Sequence, residues 1–99
     1  MSKYKLSPDA AEDIERLFLF GIDRFGVNQA SKYLSGLEIR LEKIAHSPAT
    51  YPKVSHIRPG YRRSVYGVHT IYFRTIESDE NCNQIEISRV IGREHLEDI

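Results

Sequence analysis

The chain has one cysteine and no long apolar run. Because Cys82 has no second cysteine to pair with, an internal disulfide is excluded, and we expect a cytoplasmic protein. The longest apolar patch, residues 17–20, is far shorter than the roughly 18 apolar residues that suggest a membrane span. The N-terminus lacks the basic, apolar and cleavage-site pattern of a secretory signal. No contact with a membrane is therefore expected.

The chain also lacks the common motifs of cofactor, metal and nucleophile chemistry. Its six glycines are isolated, so no glycine-rich phosphate loop is present. No Gly-x-Ser-x-Gly motif presents a serine, and Cys82 lies in an acidic stretch that disfavours a thiolate. The four histidines do not have the spacing of metal ligands. We expect no metal, no cofactor and no catalytic residue of these kinds.

Neither sign of charge is in excess, since 14 Lys and Arg residues balance 14 Asp and Glu residues. This balance argues against a protein that coats nucleic acid non-specifically. The charges are unevenly distributed, however. No acid lies between Glu42 and Glu77, and that segment contains six cations: Lys43, Lys53, Arg58, Arg62, Arg63 and Arg74. We therefore expect an electrostatically polarised molecule with one basic region.

The first half of the chain carries the pattern of two amphipathic helices. Ser7 and Pro8 are typical of a helix start, with Ser as the cap and Pro in the first turn. Apolar residues recur every three or four positions over residues 10–25, and Gly26 ends that helix. The same period resumes over residues 30–44. Because the joint is short, we predict an antiparallel helical hairpin.

The second half of the chain changes to a period of two, which is typical of strands. The alternation covers residues 63–65, 69–73 and 85–91. Gly67 supplies a tight hairpin turn, and the polar residues 77–83 form a looser one. With a short strand at the N-terminus, the order is β-α-α-β-β-β. We predict a single α+β domain over residues 1–99, with the helical hairpin packed on one face of a small, mostly antiparallel sheet.

Several polar residues are candidates for function. The basic stretch 58–63 combines arginines with a tyrosine and can hold phosphates or carboxylates, although an exposed strand edge explains it equally well. Arg89 is expected to share a face with Ile87 and Ile91; it either marks a site, which we favour, or pairs with a buried acid. His69 lies on an apolar face and is interpreted as a hydrogen-bonded structural residue.

Short segments along the chain resemble one family, the ParE-type toxins of the RelE/ParE superfamily. The opening carries Tyr4-x-Leu6-Ser7-Pro8-x-Ala10 and Phe25-Gly26-x-x-Gln29-Ala30-x-x-Tyr33. The later segments are Ala45-x-x-Pro48, Ile57-Arg58-x-Gly60-Tyr61-Arg62, Gly67-x-His69-x-Ile71-x-Phe73-Arg74 and Ile87-x-Arg89-Val90-Ile91. Together they span nearly the whole chain, and their order matches the predicted elements. The resemblance implies a RelE/ParE-like fold.

The resemblance also implies a function. A ParE-type toxin belongs to a type II toxin-antitoxin system, inhibits DNA gyrase by binding it and is neutralised by a ParD-like antitoxin whose C-terminal segment wraps the toxin. A hetero-oligomer that contacts operator DNA through the antitoxin is then expected. Two alternatives stay open: a RelE-like endonuclease that cuts messenger RNA on the ribosome, and a non-toxic module that only binds an antitoxin. The tail departs from both toxin types, because Gly92 stands where ParE-type toxins often have His and no Tyr follows the last strand.

Two sets of residues are predicted to form binding surfaces. Basic clustering and family position assign the target-contacting surface to Arg58, Arg62, Arg63, Arg89, Arg93 and His95. His95 is also the one residue that could replace the missing tyrosine as an acid in the nuclease alternative. The antitoxin is expected to cover apolar surface of the hairpin and of the open side of the sheet, at Leu17, Phe20, Tyr33, Leu37 and Tyr72.

Overall fold

The computed structural model describes residues 4–56, 58–76 and 84–92. Within them the chain forms strand β1 (Tyr4–Leu6), helix α1 (Pro8–Phe25), helix α2 (Val27–His46), a single 3-10 turn (Pro48–Thr50), and strands β2 (Tyr61–Tyr66), β3 (His69–Ile76) and β4 (Gln84–Ile91). The predicted β-α-α-β-β-β order and α+β class are confirmed.

Local chemistry fixes the ends of α1. The Ser7 hydroxyl accepts a hydrogen bond from the Ala10 amide at 3.0 Å, which satisfies one of the amides that a helix start leaves without a partner. At the other end Gly26 has a φ of +88°, a conformation that L side chains rarely adopt, and its amide donates to the Ile22 carbonyl. Because α2 begins at the next residue, Gly26 alone joins the two helices. The predicted hairpin is confirmed.

The four strands form one sheet in the order β1-β4-β3-β2. Strands β2, β3 and β4 are antiparallel neighbours, as predicted. Strand β1, whose place in the sheet was not predicted, pairs in parallel with β4, so the mostly antiparallel sheet is mixed. The Ser7 amide continues this pairing by donating to the Ile87 carbonyl at 3.0 Å. The start of α1 is thereby held beside the last strand.

The hydrophobic core lies between the hairpin and one face of the sheet. Its fully buried side chains come from both layers: Leu37, Leu41, Ile44, Ile71, Phe73, Ile87 and Val90. The helices leave the opposite face uncovered, and we call that side of strands β2, β3 and β4 the open face. It is the face on which Arg63, Tyr72 and Arg89 lie.

A β-bulge interrupts the last strand. Tyr72 lies opposite Arg89, but the next residue of β3, Phe73, lies opposite Ile87. Ser88 is therefore an extra residue that pairs with no residue of β3. Side chains alternate between the two faces of a strand, and the extra residue reverses that alternation. Buried positions in β4 accordingly run Ile85, Ile87 and then Val90. The expectation that Arg89 shares a face with Ile87 is wrong for this reason, whereas the expectation that it shares one with Ile91 is confirmed.

Candidate functional site

A row of three polar side chains crosses the open face. Arg63 of β2 lies opposite Tyr72 of β3, and Tyr72 lies opposite Arg89 of β4. Residues directly opposite each other in an antiparallel sheet leave the backbone on the same side, so an arginine stands on either side of Tyr72 in this row. Arg63 is exposed and makes no ion pair with any described residue, whereas Tyr72 is half-buried.

A second row runs parallel to the first. Tyr61 of β2 lies opposite Arg74 of β3, which lies opposite Glu86 of β4. The Arg74 Nε donates to the Glu86 carboxylate at 2.8 Å, and this hydrogen bond raises the pKa of Arg74 above its usual value. The guanidinium carbon of Arg58 lies 5.5 Å from the centre of the Tyr61 ring, within the range of a cation–π interaction. The two rows bring Arg58 and Arg63 to one surface.

Arg62 lies on the opposite side of β2 from Arg63. It is opposite Phe73, which belongs to the core face, and its Nη1 donates to the Tyr51 carbonyl at 2.7 Å. Loop residues around Pro52 also pair with β2, since the Arg63 amide donates to the Pro52 carbonyl at 3.1 Å. Arg62 therefore holds the loop against the edge of the sheet, and this structural role distinguishes it from Arg58 and Arg63.

Arg89 reaches the helical layer around the edge of β4. Its Nε and Nη2 donate to the two carboxylate oxygens of Asp13 at 2.8 and 3.1 Å, and the buried Val90 amide donates to the same carboxylate at 2.9 Å. Asp13 is only 2% exposed. The Asp13 carboxylate raises the pKa of Arg89, against a smaller opposing effect of burial. Of the two interpretations of Arg89, pairing with a buried acid is present; contact with a target stays a prediction.

An apolar groove opens on the other side of the molecule, beside the joint of the hairpin. We call it the hairpin groove. It has a volume of about 480 Å³ and is lined by side chains of both helices and of the β2–β3 turn, among them Leu17, Phe20, Phe25, Ala30, Tyr33 and Val68. Phe25 is 68% exposed and Val68 is 55% exposed. Clustered exposed apolar side chains are typical of a surface that binds a partner.

The inner end of the groove is fixed by hydrogen bonds. The Tyr33 hydroxyl lies 2.8 Å from Nδ1 of His69, donates to the Tyr66 carbonyl at 3.0 Å and accepts from the Val68 amide at 3.2 Å. His69 is 5% exposed. The interpretation of His69 as a hydrogen-bonded structural residue is confirmed. Tyr33 thus joins α2 to the β2–β3 turn while its ring lines the groove.

A family model describing the ParE toxin of the type II toxin-antitoxin system parDE matches residues 4–96. The chain belongs to the ParE toxin family. Toxin ParE1 of Caulobacter vibrioides is 34% identical over 101 residues, covering 97% of this chain and 99% of that protein. Toxin ParE1 of Mycobacterium tuberculosis is 38% identical over 73 residues, covering 74% of each chain. The recognised family resemblance is therefore confirmed.

A solved structure shares the ParE fold seen here. A chain of a chromosomal ParDE TA system from P. aeruginosa superimposes with a TM-score of 0.74, covering 93% of this chain and 96% of that chain. Its sequence is only 17% identical, so this likeness concerns the fold alone.

The ParE fold separates the predicted binding residues into different places. For the antitoxin set, Leu17, Phe20 and Tyr33 converge in the hairpin groove. Leu37 has no exposed surface and belongs to the core, whereas Tyr72 lies on the open face. The predicted antitoxin set is thus not one continuous surface.

The target set is also divided. Arg58, Arg63 and Arg89 lie on or beside the open face, and Arg62 does not. Arg93 and His95 lie outside the described residues.

Asp13 was not among the residues singled out from the sequence, although a signal for it was available. Asp13 lies three residues after Ala10 and four before Leu17, on the apolar stripe of α1, where an acid requires a partner.

Over residues 4–56, 58–76 and 84–92, no three His, Cys, Asp or Glu side chains come together as metal ligands. None of the helices in these ranges combines the length and hydropathy needed to cross a membrane.

Proposed function

We propose that this ParE-family toxin acts in the cytoplasm by binding and inhibiting DNA gyrase through the open face, and that a ParD-like antitoxin neutralises it. The observation that carries the proposal is the row Arg63–Tyr72–Arg89 on the side of the sheet that the helices leave uncovered. A central aromatic residue flanked by arginines is the composition typical of strong protein-binding surfaces. The choice of gyrase as the target rests on membership of the ParE toxin family.

The side chains that the open face carries favour binding over catalysis. Metal-free cleavage of RNA needs a general base, a general acid and a cation near one phosphate. Among the described residues of the open face, Glu86 is the one carboxylate, and it is held by Arg74 at 2.8 Å. His69, the histidine of β3, is buried on the other side. Among its described residues the open face thus offers cations and two tyrosine hydroxyls, but no histidine and no carboxylate without a cation bound to it.

The gyrase proposal is tested by supercoiling and cleavage assays with the purified chain, alongside translation of a reporter message with primer extension. We expect gyrase inhibition with an intact message. Arg63→Ala is expected to weaken inhibition about tenfold, since charged anchors at interface centres are worth roughly 1–2 kcal/mol or more. Lys32→Ala is the matched control, because Lys32 is a cation that lines the hairpin groove and not the open face. Cuts in the message with normal gyrase activity would replace gyrase inhibition with the nuclease alternative.

The antitoxin part of the proposal assigns the hairpin groove to a ParD-like partner. A disordered antitoxin segment that folds on binding gains most from an exposed apolar groove, and Leu17, Phe20 and Tyr33 supply one. We expect the groove variant Phe20→Glu to weaken antitoxin affinity at least tenfold in calorimetry. Leu19→Glu changes an exposed neighbour outside the groove and serves as the control. Equal affinities of the two variants would contradict the assignment.

A further inference from the structure

The two tyrosines of the open face are diagonal neighbours on adjacent strands. Tyr61 lies opposite Arg74, and Tyr72 lies two residues before Arg74 on β3. Diagonal positions of this kind are about 7–8 Å apart across an antiparallel pair, within reach of aromatic side chains. Both residues are half-buried, so each ring is partly held by its neighbours and partly presented to solvent. The open face therefore carries a pair of adjacent aromatic rings.

Arginines surround this pair. Arg58 lies over the Tyr61 ring at 5.5 Å, and Arg63 lies opposite Tyr72. Neither forms an ion pair with a described residue. Among the described residues, Arg74 binds Glu86 through its Nε. Three arginines thus lie around the two rings, and Glu86 is the one carboxylate among the described residues of this face.

This combination matches the chemistry of an unpaired nucleic acid strand. Bases that are not in a duplex stack on aromatic side chains, and arginines contact the phosphates between them. A duplex is instead read by a helix or a ribbon that enters a groove, and a sheet face has no such projection. Charge complementarity thus points to a polyanion, and the adjacent rings point to one with exposed bases.

We propose that the open face binds single-stranded nucleic acid, with Tyr61 and Tyr72 stacking on neighbouring bases and Arg58 and Arg63 contacting phosphates. The inference deepens the proposed function and rests on it for its biological setting, because DNA is the substrate of gyrase. The binding itself needs no gyrase and can be measured alone.

The test measures fluorescence anisotropy of labelled mixed-sequence oligonucleotides of about 12 nucleotides with the purified full chain, at several salt concentrations. Single strands are expected to bind more tightly than the matched duplex. Tyr72→Ala is expected to weaken single-strand binding roughly 5- to 150-fold, the range measured for loss of one stacked base. Tyr72→Phe keeps the ring and is expected to bind like the wild type. Arg63→Ala is expected to reduce the salt slope by about 0.7.

Two controls distinguish a loss of oligonucleotide affinity at the open face from a general effect of mutation or from unfolding. Phe25→Ala removes an exposed aromatic ring from the hairpin groove and is expected to leave oligonucleotide affinity unchanged. Circular dichroism of each variant verifies that it folds. The inference is overturned if no single strand binds at low salt, if the duplex binds as tightly, or if Tyr72→Ala binds like the wild type.

The same variants in the gyrase assay separate this inference from the proposed function. If oligonucleotides do not bind but Tyr72→Ala loses gyrase inhibition, the open face contacts gyrase protein. That result rejects the nucleic acid inference and leaves the proposed function standing. If oligonucleotides bind through Tyr72 and gyrase is not inhibited, the nucleic acid inference holds and the gyrase proposal fails.

Discussion

Gly36 is where the packing of α2 on β2 can be tested most directly. A Cβ at this position would overlap the Tyr66 hydroxyl oxygen and lie 3.0 Å from its Cζ. The hydroxyl has little freedom to move away, because it donates to the Tyr33 carbonyl at 3.3 Å and its ring lies 5.0 Å from the Tyr33 ring. We therefore predict that Gly36→Ala destabilises the fold, although alanine is the better helix former.

Two opposing effects set the size of this change. Replacing a glycine inside a helix by alanine stabilises the helix by about 1 kcal/mol. Forcing an extra methyl group into packed surroundings costs about 1–3 kcal/mol, and losing the tyrosine hydrogen bond costs about 1 kcal/mol more. The net expectation for Gly36→Ala is a loss of roughly 1–3 kcal/mol in the free energy of unfolding.

Without the Tyr66 hydroxyl, Gly36→Ala should no longer destabilise the fold. In a Tyr66→Phe background the overlap disappears, and the remaining Cζ contact at 3.0 Å needs a shift of only a few tenths of an ångström. Gly36→Ala should then be neutral or stabilising by up to about 1 kcal/mol, since the helix preference persists. The coupling free energy between the two positions should exceed about 1 kcal/mol.

The assay is urea denaturation of the four proteins of this double-mutant cycle, followed by circular dichroism. Ser35→Ala changes an exposed neighbour on α2 and should shift stability by no more than about 0.5 kcal/mol. The reasoning would be refuted if Gly36→Ala were equally destabilising with and without the Tyr66 hydroxyl. It would also be refuted if Gly36→Ala stabilised the wild-type chain.

Two further predictions concern a buried carboxylate and a half-buried hydroxyl. Asp13→Ala removes the acceptor of the buried Val90 amide and should lower the free energy of unfolding by about 2–3 kcal/mol in urea denaturation. Burial raises the pKa of the Tyr4 hydroxyl above its ordinary value of 10.0, with help from Glu42 and Glu38. The folded chain thus holds this proton more tightly, so stability should fall as pH rises above about 10, and Tyr4→Phe should lessen that fall.

Features that depend on neighbouring residues were predictable from the sequence. Ser7 and Pro8 start α1 and Gly26 ends it, because capping and positive φ are requirements of the local backbone. The three-four spacing likewise places Leu17 and Phe20 on the side of α1 that faces the groove. The parallel direction of β1 was not predictable. A strand of three residues carries too little pattern to specify which neighbour it joins or in which direction.

The periodic pattern also could not predict how deeply each residue of an apolar stripe is buried. Tyr33 and Leu37 lie four residues apart on one side of α2, and the spacing treats them alike. The two residues nevertheless differ in burial, because Tyr33 lies beside the β2–β3 turn at the groove, whereas Leu37 is a fully buried member of the core. Whether a residue of an apolar stripe serves the core or a partner depends on where the covering layer ends, which is a property of tertiary structure.

The bulge at Ser88 shows how one residue decides the role of another. Ile87, Arg89 and Ile91 fit a regular alternation, but so do Ile85 and Ile87 followed by Val90 once a residue is inserted. The apolar pattern of β4 is compatible with both registers, so it could not settle which way Arg89 points. The decisive signal lay 76 residues away, in the acid on the apolar stripe of α1. A buried carboxylate requires a cation or hydrogen-bond donors, and the bulge brings both to it, since Arg89 and the next backbone amide bind the same group.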